Sequence, residues 1–413
     1  MSRIRTGDPA LIREINLSIV LNALRDHAST SRAALAASTG LTKVTVSALV
    51  QQLTQAGFIT ERGIGKAALG RPGILLELNP QAGGMIGVEI GVDFISLLLT
   101  DFSARVIWRH HEQTDRRAAQ ATLLKHIIAN IRAAIKQAER HDLAIFGLSI
   151  GLPGLVDVAA GVLLYAPNLK WRNVPLRQLL SEHFDFPIHV DNEASIAAFG
   201  QSFFGAARGK RNMVYVHAGV GIGGGLVLNG QIVTGATGFA GEVGHVTIEP
   251  EGPLCNCGNH GCWETFASES AVFERVQQGI AAGKSTHLAR LKNGKGEQLT
   301  IPLIVEAAEQ GDLAARQALC ETGMYLGIGI ANLINTLNPE MVVLGGTLSL
   351  AKDFILPVIQ ETINERALSW SVKATQVVIA ADGSDACLMG GIATIYDQVL
   401  RHPLQTRRVR ATA

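Results

Sequence analysis

Between residues 245 and 262 the chain gathers one imidazole and three thiols: His245, Cys255, Cys257 and Cys262. Four such donors make a soft nitrogen/sulfur set, the composition of a closed tetrahedral zinc site. Complete ligation leaves no open position for water, so the expected ion is structural rather than catalytic, one zinc per subunit. The Cys255-Asn256-Cys257 step is too tight for a comfortable disulfide, but it can fold around one ion with help from Gly258 and Gly261. His260 is a rival ligand. The other two of the five cysteines, Cys320 and Cys387, lie far away in sequence. Clustered thiols in a chain without an export signal favour metal over disulfides. Glu242 and Glu264 flank the cluster. A loop fixed by metal would aim both carboxylates at the hydroxyls of a polyol.

These residues need a scaffold, and the pattern around them is α/β. The segment MIGVEIGVDFISLLLTDF reads as strand, glycine turn, strand, followed by an amphipathic helix with Leu124, Ile127, Ile128, Ile131 and Ile135 on its apolar face. A strand, IFGLSIGLPG, and a helix-strand passage ending in PIHVDNEASIAAFG come next. A second strand-turn-strand, NMVYVHAGVGIGGGLVLNG, echoes the first, and MVVLGGTLS is a buried strand running into a glycine turn. Strands alternating with helices predict α/β layers, and two similar glycine hairpins predict two lobes with a cleft. Such hairpins either cradle phosphates through backbone N–H groups or are simply tight turns.

The first 80 residues differ in kind. Ile15, Ile19, Val20, Ala23 and Leu24 recur at helical spacing. Ser31 is placed to cap a second helix that Gly40 ends, and Thr42 to cap a third that stops at Gly57. Two helices joined by a short glycine turn form a helix-turn-helix, with Leu35, Ala36, Leu41, Val46, Leu49, Val50 and Leu53 as its core. Thr42, Lys43, Thr45 and Ser47 then face outward to meet base edges and phosphates in a major groove. FITERG and GRPGILLEL make two short strands around a basic tip, a wing that offers Lys66 and Arg71 to the DNA backbone or minor groove. Charge agrees: residues 1–80 hold nine Lys/Arg against five Asp/Glu, while the whole 413-residue chain carries a formal charge of only +1.

Hydrophobic residues make up 47% and charged residues 17% of the chain, which excludes a disordered protein and suits several buried cores. No apolar run reaches the roughly 18 residues of a membrane span, and MSRIRTGDPA lacks the features of a secretory signal. A cytoplasmic protein with no membrane association is expected.

The span GATGFAGEVGHVTIEPEGPLCNCGNHGCWE, together with the winged head, resembles the ROK family (repressor, open reading frame, kinase), which contains bacterial sugar kinases and sugar-sensing repressors. The likeness covers nearly the whole chain, and the head is similar to the repressor branch. It implies an α/β fold: a two-lobed ribonuclease-H-like body, similar to actin and hexokinase, preceded by the winged helix-turn-helix. The expected domains are 1–80 for DNA, 81–190 for the first lobe and 191–413 for the second lobe with the zinc motif, the C-terminal helix packing back on the first lobe. The resemblance implies that His245, Cys255, Cys257 and Cys262 hold the zinc. It further implies sugar contacts from Asn192, Glu242, His245 and Glu264, and from Gly154 and Asn168 of GLPG and APNLKW.

Family kinases carry Asp-Ile-Gly-Gly-Thr where this chain has Glu89-Ile90-Gly91-Val92-Asp93, and a carboxylate there would repel phosphate. Their catalytic base is the Asp of an Asn-Asp-Ala-Asn run, matched here by Asn192-Glu193-Ala194-Ser195, so the longer arm would shift the carboxyl by roughly 1 Å. The second hairpin keeps its glycines but has Val220 where Thr is typical. The expected protein is a sugar-responsive regulator, a repressor by family habit, with a non-catalytic kinase body. The alternative is an active ATP-dependent sugar kinase with a DNA-binding head. Expected partners are operator DNA with an inverted repeat, a sugar or sugar derivative, a second copy or three more copies of the chain, and in part of the family a sugar-transport protein. The Asn-Glu-Ala-Ser run looks most like that of xylose sensors.

Overall fold

Asp8 starts the fold: its carboxylate accepts the Ala10 N–H, Pro9 fills the first helical position, and α1 (Pro9–Asp26) follows. The structure, a computed structural model, describes residues 8–27, 29–64, 73–284, 288, 299–381 and 383–409. The Ser31 hydroxyl caps α2 (Arg32–Thr39), which closes on left-handed Gly40 at φ 73°. Thr42 caps α3 (Lys43–Gln55) by accepting the Thr45 N–H. The chain turns by 116° between α2 and α3, within the range of a helix-turn-helix. Leu35, Val46, Leu49, Val50 and Leu53 are buried as expected, while Ala36 and Leu41 are half-buried. On α1 the inward face is Leu17, Val20, Leu21 and Leu24; of the residues whose spacing marked the helix, Ile15 and Ile19 are exposed. That helix is apolar on two faces, so its spacing alone does not select the packed one.

Strands β1 (Thr30–Ser31), β2 (Ile59–Ile64) and β3 (Ile74–Leu78) form a small antiparallel sheet in the order β1-β3-β2. The β2–β3 pair is the wing. Its tip, with Lys66 and Arg71, lies outside the described residues.

The chain divides into two units, the first being Met1–Ile150, Leu176–His189 and Gly391–Ala413, the second Gly151–Pro175 and Val190–Gly390. In the first, β4 (Gly84–Ile90), β5 (Phe94–Thr100) and β6 (Val106–Gln113) form a meander beside β7 (Ile145–Leu152). Helix α4 (Gln120–Arg140) covers it with Leu123, Ile127, Ile131, Ala134 and Ile135 buried. The buried stripe is rotated from the expected one: Leu124 and Ile128 are only half-buried. An aromatic joint ties the wing base to this sheet, with ring centroids of Phe58 lying 5.4 Å from Phe102 and 6.0 Å from Phe146. Helix α5 (Leu176–Ser181) also belongs to the first unit. The separate sheet of short strands β8 (Leu155–Asp157), β9 (Val162–Ala166) and β10 (Trp171–Val174) belongs to the second, and β11 (Ile188–Asn192) runs from the first into the second.

In the second unit α6 (Glu193–Phe203) precedes β12 (Met213–Ala218), β13 (Ile222–Leu228) and β14 (Gln231–Ile232). Next come α7 (Glu264–Ala267), α8 (Glu269–Ala281), α9 (Ile301–Glu309), α10 (Leu313–Leu337), β15 (Met341–Gly345), α11 (Lys352–Arg366), α12 (Ser369–Ala374) and β16 (Gln376–Ile379). Helix α13 (Ala386–Arg401) ends the series, its residues from Gly391 onward belonging to the first unit. Period-two alternation is visible in β12, although both of its faces are buried. Val214 and Val216 join the core of α10 and α11, whereas Met213 and Tyr215 join Ala194, Ala197 and Ala198 of α6. The strand orders β6-β5-β4-β7-β11 and β14-β13-β12-β15-β16 are the same topology, three antiparallel strands and then two more beyond the first. The two glycine hairpins of the sequence are β4–β5 and β12–β13, at equivalent places in the two sheets. Among the described residues no single helix is long and apolar enough to cross a membrane.

Candidate functional site

The loop from Glu242 to Glu264 is built by close backbone approach. Any side chain at Gly244 would put its Cβ 2.0 Å from the Ile222 carbonyl oxygen, so the loop lies directly on β13. Gly261 has φ 67° and leaves no room for a Cβ beside the Glu249 carbonyl. Cys255 donates its N–H to the Asn259 carbonyl and Gly258 donates to the Cys255 carbonyl, closing a tight knuckle. Its result is that one ligand atom from each of His245, Cys255, Cys257 and Cys262 lies within 4.8 Å of all the others. Cys257 Sγ is 3.7 Å from Cys262 Sγ, and Cys255 Sγ is 3.6 Å from His245 Nδ1. Zinc–sulfur bonds of about 2.3 Å and a zinc–nitrogen bond of about 2.0 Å on a tetrahedron require separations of roughly 3.5–3.8 Å. The two measured separations match that spacing, and the four donors are close enough together to hold one metal ion. His260 is outside this set; its Nδ1 lies 3.2 Å from the Gly252 carbonyl oxygen.

Trp263 sits between the last thiol and Glu264 and anchors both. Its indole is fully buried, donates from Nε1 to the Tyr325 carbonyl at 2.7 Å, and lies against Gly329 of α10. Glu264 Oε1 is 3.6 Å from His245 Nδ1 and accepts from the Cys255 thiol at 2.9 Å. Its other oxygen would be only 2.9 Å from a Cβ at Gly221, so that hairpin glycine gives the carboxylate its space. On the far side of the imidazole, His245 Nε2 is 3.8 Å from Glu242 Oε2. Burial pushes the Glu242 carboxyl up, His245 pulls it down and Glu264 pushes it up again. The imidazole thus lies between two carboxylates, one nitrogen toward the thiols and one toward Glu242.

Asn192 caps α6: its Oδ1 accepts the Ala194 and Ser195 N–H groups, while Nδ2 donates to the Gly154 carbonyl at 3.2 Å. It fixes the GLPG loop to α6, leaving one amide hydrogen for a ligand. Asn168 lies half-buried in the β9–β10 turn and makes no side-chain hydrogen bond to the other candidates among the described residues. Glu193 follows Asn192. Its Oε2 is sealed from solvent with no hydrogen-bond partner. Burial, with Glu242 and Asp191 nearby, pushes its carboxyl from 4.5 to about 7, against a backbone hydrogen bond that pulls it down. Between about pH 4.5 and 7 the unfolded chain gives up this proton while the folded one keeps it, so folding stability falls as pH rises through that window. Glu193→Gln is therefore expected to melt higher than the parent at pH 8, by several degrees, and to match it near pH 4.5. Calorimetric melts of both proteins across that range check it, and parallel curves would remove the buried-acid assignment.

In the first hairpin, Asp93 is held by Arg116 through Nε at 3.0 Å and Nη2 at 2.6 Å. The carboxylate expected to repel phosphate is thus paired with a guanidinium, a partner 23 residues away with no sequence pattern to announce it. The side chains of Val92 and Asp93 still occupy the turn, in which Gly91 is the one glycine. In the head, Thr42, Lys43 and Ser47 are exposed and Thr45 is half-buried. The Thr42 and Thr45 hydroxyls are 2.8 Å apart and bond to each other. Sequence reading missed Val44, 81% exposed on the same turn. Its signal was its position off the buried Val46-Leu49-Val50-Leu53 face, and its methyls suit a thymine methyl.

The ROK family profile matches residues 85–398, and a winged helix-turn-helix DNA-binding profile matches residues 13–60. The chain is 34% identical to the xylose repressor of Caldicellulosiruptor bescii over 96% of this chain and 99% of that one. The crystal structure of a ROK family transcriptional regulator, a homolog of the Escherichia coli MLC protein, superposes with a TM-score of 0.80 at 28% identity, covering 95% of this chain and 98% of that one. A ROK family glucokinase from Streptomyces griseus, solved with glucose and AMPPNP, gives 0.67 at 31% identity over 75% of this chain and 98% of its own.

Proposed function

The chain belongs to the ROK family, and on that premise we propose that it is a sugar-responsive DNA-binding repressor whose kinase-like body binds a sugar without phosphorylating it. The observation that carries this reading is the α2–α3 pair. A packed helix-turn-helix presents the first turn of α3 to solvent on a chain that matches a repressor from end to end. Thr42, Lys43, Val44, Thr45 and Ser47 read the major groove, and the basic wing residues Lys66 and Arg71 meet the backbone or minor groove. Two copies, or four, bind an inverted repeat with half-sites about one helical turn apart. The protein works in the cytoplasm.

Glu242 and Glu264 accept hydrogen bonds from sugar hydroxyls, His245 adds one contact, and Asn192, Gly154 and Asn168 close the site. His245, Cys255, Cys257 and Cys262 would hold one structural zinc, which when bound fixes the loop that carries both carboxylates. The metal has no open position and no step of chemistry runs through it. Sugar binding favours one of two states of the body, and operator affinity changes by the difference, typically 5–150-fold.

A residual sugar-kinase activity is the second reading, and one observation favours it. A carboxyl lifted to about 7, as Glu193 is, sits where a general base works best.

The test of the repressor reading is fluorescence anisotropy with duplex DNA selected by the full-length protein from random sequence. D-Xylose, D-glucose and N-acetylglucosamine are added in turn. At least one sugar is expected to weaken the complex. Lys43→Ala is expected to weaken it at every salt concentration and to lower the salt slope by about 1, the loss of one phosphate contact. Selection that returns no sequence, or binding indifferent to every sugar, would set the reading aside.

A further inference from the structure

The last described residues of the chain are bonded to the DNA head over sequence separations of more than three hundred residues. Arg408 Nη2 donates to the Ala56 carbonyl at 2.6 Å, at the C-terminal cap of α3. Its guanidinium lies 4.3 Å from the Phe58 ring centroid and 5.5 Å from that of Phe146. Among the described residues no ion pair holds it. A planar cation is placed by ring faces and by the negative end of α3, a geometry that lysine cannot reproduce. Two more contacts come from the same tail: His402 Nδ1 is 2.9 Å and Gln405 Nε2 is 2.7 Å from Glu14 Oε1 on α1. On its other side the tail is stitched to the body sheet, where Val409 and Ile145 exchange both backbone hydrogen bonds. The segment therefore touches the first helix of the head, the end of its recognition helix and strand β7.

The other end of this element packs on the helix whose first residue follows Asn192, a candidate sugar residue. Helix α13 is continuous from Ala386 to Arg401, and its first turn belongs to the second unit. There it meets α6, the helix capped by Asn192. A Cβ at Gly200 of α6 would lie 2.7 Å from Gly390 Cα, and a Cβ at Gly390 would lie 2.1 Å from the Ile196 carbonyl oxygen. Backbone rests on backbone, without flexible side chains between to absorb a shift. A displacement of α6 passes to α13, and α13 leads straight into the tail.

We propose that residues 402–409 transmit the sugar signal to the DNA head, with Arg408 as the positioning residue that sets the recognition helix. The inference rests on the repressor reading above and adds the part of the chain that carries the response. Its test compares full-length protein with Arg408→Ala and Arg408→Lys and with a chain ending at Arg401. Operator affinity is measured with and without whichever of D-xylose, D-glucose or N-acetylglucosamine moves the parent. Sugar affinity is measured in parallel by calorimetry.

The ratio of operator affinities without and with sugar is expected to fall toward 1 in all three variants, while sugar affinity stays within about twofold. A tail serving only to stabilise the fold would lower the melting temperature and leave that ratio intact. Arg408→Ala with the parent's full ratio overturns the proposal, as does loss of sugar binding along with the response. If the shortened chain does not fold, the two point variants decide alone. A parent that shows no sugar response at all defeats the repressor reading, a result distinct from an unaltered ratio in the variants.

Discussion

Calorimetric titration run beside a coupled ADP-release assay is expected to show a sugar bound and no ADP formed, and Glu242→Ala is expected to bind no sugar in the same range. Glu242 faces His245 on one side and is partly withdrawn from water by the loop that carries it. A carboxylate in that setting accepts charge-assisted hydrogen bonds worth about 1.5–3 kcal/mol each. Two of them from neighbouring hydroxyls amount to about a hundredfold or more in affinity. Turnover is expected to fail because Val92 and Asp93 crowd the first turn and Glu193 carries its carboxyl one methylene too far out. Phosphoryl transfer depends on positioning and charge together, so restoring glycine at 92 alone recovers little. ADP release at about 1 per second or faster would make this chain an enzyme, and the titrating Glu193 would be its base.

Cys257→Ser is expected to take bound metal from one ion per chain to near zero, and to weaken sugar binding by a similar order to the Glu242 change. Cys257 is the exposed member of the four, so the substitution removes a ligand without opening a cavity. The loop holds few large buried side chains of its own, and its order then depends on the remaining turns and on Trp263. Loss of a structural ion costs several kcal/mol in small metal-dependent folds. Here the penalty should fall on the loop and leave the cores of the second unit folded. Cys320→Ser, at an exposed thiol outside the cluster, is the control and should keep both metal and sugar. Elemental analysis of the purified proteins reads the first result and calorimetry the second. Parent protein that holds no zinc after repletion would end the metal assignment.

The metal set was legible because its ligands are local: eighteen residues hold all four, and thiols beside a histidine have few other uses. Helix caps at Ser31 and Thr42 and the glycine stops were legible for the same reason. The doubled sheet was only faintly visible, since the two glycine hairpins are a small part of each five-stranded unit and the rest of the likeness lies in strand order. Periodicity did not select the packed face where a helix is apolar on more than one, as at Ile15 and Ile19. It also set the stripe of α4 about one residue off. What the sequence could not show were contacts between distant segments with no pattern of their own. Arg116 on Asp93 and Arg408 on Ala56 are single cations that look like any other solvated charge until the fold brings them home.

Trp263 gives the second unit a built-in optical probe. The chain has four tryptophans, and this one alone stands between a thiol of the candidate metal set and a candidate sugar carboxylate. Its ring is sealed against Gly329 and its N–H is spent on Tyr325, so its emission should be blue-shifted and shielded from iodide. Trp370, 83% exposed, supplies the opposite signal, red and readily quenched. Any loosening of the loop moves Trp263 toward the behaviour of Trp370. Loop order can therefore be followed in a cuvette from the protein's own light, with no label attached.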